Sequence, residues 1–144
     1  MAITDEDIAW QIERRLATDS DVAGLVGNRI RPQVIEPNEA MPAIRYEELS
    51  HNYWPLLNQP MTDGQTRLQI DCYGQTSLQA RQVAAAVKSS LHGFSGLLGS
   101  IRVFDCVMDT RYDRVDPPPP GGKSWRKRRT MDFLISHSEP APTL

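Results

Sequence analysis

The segment from Arg67 to Gly93, RLQIDCYGQTSLQARQVAAAVKSSLHG, constrains the fold more than any other part of this chain. Leu68, Ile70 and Cys72 alternate with Arg67, Gln69, Asp71 and Tyr73, the period of a strand with one buried face. Gly74 interrupts that period, and Thr76 followed by Gln79 has the spacing of a capping box. Ala80, Val83, Ala84, Val87 and Leu91 then recur at helical spacing, with Leu78 at the start and Gly93 placed to end the helix. A half-buried strand followed at once by a helix with one apolar stripe must bury that stripe against a sheet or another helix. The small residues around Ala84 permit close approach, so the core is expected there.

The rest of the chain fits an α+β domain of the same kind. Ile8, Ile12 and Leu16 predict an amphipathic helix over 5–17, with Thr4 and Asp7 at its start, Asp5 and Glu6 near its positive end, and Arg14 and Arg15 near its negative end. Trp10 lies off the main stripe, where it either widens the buried face or packs on another subunit. Asp19 or Ser20 can cap a short helical turn carrying Val22, Leu25 and Val26, and Gly27 can stop it. Residues 29–32 leave as an extended segment, 33–41 read as a loop, and 43–50 as a strand with Ile44 and Tyr46 on one face. The segment HNYWPLLNQPMT from His51 is either an apolar loop over the core or a surface for a partner, since Tyr53, Trp54, Leu56 and Leu57 crowd into it. Residues 100–112 form a long strand with Phe104, Cys106 and Met108 on one side and Ile101, Val103 and Val107 on the other; 130–137 form the last, with Met131, Phe133 and Ile135 inward. Short turns favour antiparallel neighbours. The expected architecture is α+β: a mostly antiparallel four-stranded sheet packed by two helices, in a single domain spanning 1–144. Four prolines at 117–120 followed by Gly121 and Gly122 predict a long, proline-rich hairpin arm protruding over 113–127.

At 144 residues the chain can bury a core without metal or disulfide support. No apolar run approaches the roughly 18 residues that span a bilayer, so no membrane partner is expected, and MAITDEDIAW lacks the apolar core of a secretory signal. Cys72 and Cys106 fall in apparent strands without zinc or redox spacing, and read as buried free thiols, with a disulfide or a reactive role as the alternatives. His51, His92 and His137 show no metal-ligand spacing, and no nucleophile elbow or phosphate loop is present. Neither a cofactor, a metal nor an enzymatic activity is expected.

Charge is unevenly placed. Residues 1–71 carry twelve acids and six bases, whereas residues 72–144 carry six acids and ten bases. Lys123, Arg126, Lys127, Arg128 and Arg129, with Trp125 among them, form the sharpest local cluster. Such a cluster suits an acidic protein partner, nonspecific phosphate contact, or a merely solvated hairpin. Together with Trp10, Tyr53 and Trp54, the residues Lys123, Trp125, Arg126, Lys127 and Arg128 are the candidate interface.

VAGLVGNRIRP at 22–32, MPAIRYEEL at 41–49, the strand–helix segment at 67–93 and RRTMDFLISH at 128–137 together resemble the tail completion, or tail terminator, family of long-tailed phages. The resemblance covers most of the chain and lies in the succession of these segments. It implies a virion protein forming a hexameric ring at the head–tail junction, assembled in the host cytoplasm. Its sheets would surround a channel for double-stranded DNA that is not bound sequence-specifically. One face would meet the tail tube protein and the other a head-side stopper or connector protein. It also implies that Ile70 and Cys72 are structural and that 116–124 is a long version of a variable hairpin. A stopper or adaptor ring of the neck, or a small nonspecific nucleic-acid-binding protein, are the alternatives.

Overall fold

The computed structural model describes residues 7–54, 63–122 and 124–139. Three helices, α1 (Ile8–Thr18), α2 (Ser20–Val26) and α3 (Ser77–Leu91), accompany six strands: β1 (Ile30–Pro32), β2 (Ala43–Tyr53), β3 (Asp63–Gly74), β4 (Gly96–Leu98), β5 (Ile101–Asp116) and β6 (Arg126–Ser138). The strands form one sheet in the order β1-β2-β3-β6-β5-β4, with β1 parallel to β2 and every other pair antiparallel. The α+β class and the four long strands follow the sequence pattern. Six strands replace the expected four because β1 and β4 have three residues each, too few to show a period. Three helices replace the expected two because the short turn read after Asp19 is a helix of its own, α2.

Local chemistry explains the helix ends. Asp7, not Thr4, caps α1, its carboxylate accepting from the backbone N–H of Ala9 and Trp10, so the helix begins at Ile8. Asp5 and Glu6, expected in its first turn, lie outside the described residues. At α3, Thr76 Oγ1 accepts from Gln79 N, and Gln79 Oε1 reaches back to accept from Gln75 N, a close relative of the capping box. A Cβ on Gly74 would stand 2.7 Å from Ala80 N, so only glycine lets β3 turn this tightly into α3. Arg15 of α1 donates twice to Ser90 O at 3.0 and 2.8 Å and lies over the Phe94 ring, tying α1 to the end of α3.

The core lies between the helices and one face of the sheet. Leu68, Ile70, Cys72, Met131, Phe133 and Ile135 meet Val83, Ala84, Val87 and Leu91 of α3 and Ile8, Ile12 and Leu16 of α1, all buried. Strand β5 departs from simple alternation: bulges between Val103 and Asp105 and between Met108 and Thr110 shift its phase. Ile101, Val103 and Cys106 are therefore buried together while Phe104 and Val107 are exposed. The expected grouping of Phe104 with Cys106 is corrected by that extra residue.

The protruding arm is also corrected. β5 runs to Asp116 and β6 begins at Arg126, so most of the expected arm is paired strand and only 117–125 connect them. Gly122 N donates to Pro119 O, and Arg126 donates to the carbonyls of Glu36 and Pro37 at 2.9 and 2.5 Å. A guanidinium bonded to two carbonyls holds the proline turn against the loop at 36–41 instead of letting it project.

Candidate assembly surface

Paired residues share a face, and along β3 the even positions 64–74 face the helices while the odd positions face away. On this helix-free face Arg45, Asp71, Thr130 and Tyr112 form one cross-strand row, and Glu47, Gln69, Asp132 and Thr110 the next. Asp71 is fully buried although no helix covers it. Thr130 Oγ1 donates to its carboxylate, Gln69 Nε2 donates to both its oxygens, Arg45 Nε lies 3.3 Å away and Arg128 Nη1 3.7 Å. The side chains of Arg45 and Arg128 lie over it, so burial and pairing come from the same groups. Arg67 bonds Asp109 at 2.9 Å and Asp132 at 3.4 Å, continuing the pattern.

These pairs change the meaning of the basic cluster. Arg128 serves Asp71 and Asp116. Arg129 faces the helix side and grips Asp113 with two bonds, at 2.7 and 3.0 Å, which holds the Asp113 carboxyl below its ordinary pKa. Arg126 is spent on carbonyls. Lys127 lines a cleft of about 150 Å³ with Ser77, Arg81 and Arg114, and Lys123 lies outside the described residues. Trp125 is 56% exposed.

Tyr53 and Trp54 sit at the opposite end of the strands. Trp54 stacks on Phe104 with centroids 6.3 Å apart, and both remain about 40% exposed. Tyr53 donates to Glu139 at 2.8 Å, which raises its phenol pKa. Trp10 is half-buried beneath Arg14 on the helix side. The candidate residues thus occupy three places, not one site; Leu56 and Leu57 lie outside the described residues.

Sequence spacing missed a second constellation. His51 and His137, far apart in the chain, come within 5.1 Å on the helix side of the sheet, with Thr66 between them. His137 Nδ1 faces Ser138 O at 2.8 Å and must donate, so its bare Nε2 accepts from Thr66 Oγ1 at 2.7 Å. Thr66 in turn accepts from His51 Nδ1 at 2.7 Å. Burial keeps the His137 pKa below its ordinary value, consistent with this neutral tautomer. Gly64 makes the cluster possible, since a Cβ there would lie 2.3 Å from Asn52 O and 2.9 Å from His51 Nε2.

Among the described residues no group of three or more His, Cys, Asp or Glu side chains is placed to hold a metal ion, and no helix is long and apolar enough to cross a membrane. Cys72 and Cys106 are buried free thiols, and desolvation pushes Cys106 up to about 12. The arrangement offers paired charges, exposed aromatics and open strand edges, which are means of association.

The fold is shared with a component of a phage-like particle. One solved structure, described as the virion of a native gene transfer agent particle, matches with a TM-score of 0.65 over 88% of this chain and 91% of that one, at 16% identity. The family described as tail completion protein gp17 matches residues 11–126. This chain belongs to that family and is a structural protein of a phage-type tail. No curated protein matches it.

Proposed function

We propose that this protein, as a single domain, closes the head-proximal end of a phage tail tube as a hexameric ring. The ring joins the tube to the head-side connector, with the genome passing through its opening. Membership of the tail completion family across residues 11–126 carries this reading. The paired state of Arg45, Arg67 and Arg128 supports transit over retention of DNA, because guanidinium groups already bound to carboxylates release few counterions to a phosphate backbone. Exposed Trp54 and Trp125, at opposite ends of the strands, suit contacts with two different axial partners. The protein would act at the head–tail junction of the virion and pass through the host cytoplasm during assembly.

The test is the solution mass of the purified protein, alone and with the tail tube protein of the same phage. A six-chain mass, or a shift to it on adding the tube protein, is expected. A persistent single-chain mass in both conditions, with salt-dependent DNA retardation, would replace the ring with a nucleic-acid-binding role.

A further inference from the structure

We propose that copies of this chain join edge to edge, residues 109–116 of β5 in one copy adding antiparallel to residues 47–53 of β2 in the next. Both outer edges of the long-stranded sheet are only partly covered. β1 pairs with residues 44–46 of β2, and β4 pairs with residues 101–103 of β5. The turn after α3 covers a little more, with Gly93 N donating to Cys106 O at 2.7 Å and Met108 N to His92 Nδ1 at 3.1 Å. Among the described residues no strand pairs with the outer side of 47–53 or of 109–116. Two open rows of backbone donors and acceptors, of nearly equal length, are templates for a further strand.

Direction and phase agree with this occupant. β2, β3, β6 and β5 alternate in direction and are even in number. A copy related by rotation therefore brings its β2 antiparallel to this β5, a head-to-tail contact of the kind that closes into rings. On both edges it is the helix-side residues whose backbone groups point outward, as Ile44 N and Tyr46 O do toward 29–33, and Cys106 O and Met108 N toward 92–93. Carried through the bulges, that alternation reaches Glu48 and His51 on β2 and Arg111 and Asp113 on β5. Placing Asp113 against Glu48 and Arg111 against His51 makes them hydrogen-bonded pairs. The same register sets Arg114 against Glu47 and Tyr112 against Ser50 on the helix-free face. Arg114 and Glu47 are opposite charges, and Asp113 is already neutralised by Arg129 and Arg81.

The open stretches lie at opposite ends of the strands, which forces a stagger. Tyr112 is level with Asp71 of β3 through Thr130, whereas Ser50 is level with Arg67. That four-residue offset is about 14 Å along the strands for about 19 Å of width across four strands. The implied tilt of roughly 35° falls in the range used by closed sheets.

This inference rests on the ring reading, and the test separates the two. In the double variant Ser50→Cys, Tyr112→Cys the new thiols of one chain sit three strand spacings apart, about 14 Å or more, too far for a disulfide. The native Cys72 and Cys106 are buried. Mild oxidation of the assembled double variant is expected to give a ladder of covalent multimers that neither single variant gives. In the unmodified protein, exchange of the edge amides at 48, 51, 111 and 113 is expected to slow about tenfold or more on assembly. Particles of ring mass with no ladder and unchanged exchange would overturn edge pairing and leave the ring standing. A single-chain mass with and without the tube protein would overturn both.

Discussion

Two buried polar clusters on the same strand are built in opposite ways. Around Asp71, on the helix-free face, a carboxylate is satisfied by two guanidinium groups and a hydroxyl. Around Thr66, on the helix side, two imidazoles and a hydroxyl form a relay that ends, through a neutral His137, on the carbonyl of Ser138. The first keeps charge by surrounding it with charge. The second is held by a chain of hydrogen bonds whose buried member, His137, resists protonation, while His51 Nε2 lies 3.7 Å from the Glu139 carboxylate.

The largest effect should come from the charged cluster. Asp71→Ala leaves Arg45 and Arg128 without their shared partner, and we expect a loss of about 3–5 kcal/mol in chemical denaturation. Thr66→Val removes the relay's central hydroxyl while preserving its shape, for a loss of about 1–3 kcal/mol. An Asp71→Ala cost no greater than that of Thr66→Val would break the contrast.

Acid sharpens it further. The His137 pKa is lowered by burial, so the folded state resists the proton that the unfolded chain accepts below its ordinary value of 6.5. Its contribution is present in full above that pH and is lost as the pH falls toward the depressed folded value, with a slope of at most about 1.4 kcal/mol per pH unit. Denaturation measured between pH 7 and 5 should show this slope, and His137→Gln should flatten it. The smallest effect belongs to Arg67, which is paired with Asp109 and Asp132 at the half-exposed surface. Arg67→Ala should cost at most about 1 kcal/mol and should shrink further in high salt.

Much of the fold was legible because it is local. The stripe from Ala80 to Leu91 and the inward set Met131, Phe133 and Ile135 appear as read, and so does the inward face of 66–73, although Asp71 and Tyr73 on its other face are buried too. The candidate interface was less legible. The basic cluster reads as free charge, yet Arg126, Arg128 and Arg129 each find an acceptor in a distant part of the chain or on the neighbouring strand. His51 and His137 read as scattered because their proximity depends on β2 and β6 flanking β3. In β5 one extra residue at each bulge reversed the faces, and no periodicity announces a bulge in advance.

The sequence by itself determined where the helices and the four long strands lie and, wherever no bulge intervenes, which apolar side chains face inward, because period and capping are properties of neighbouring residues. Tertiary structure decided which charges are neutralised, which histidines meet and which edges stay open. Those depend on the order of strands in the sheet, set by packing between residues that are remote in the chain.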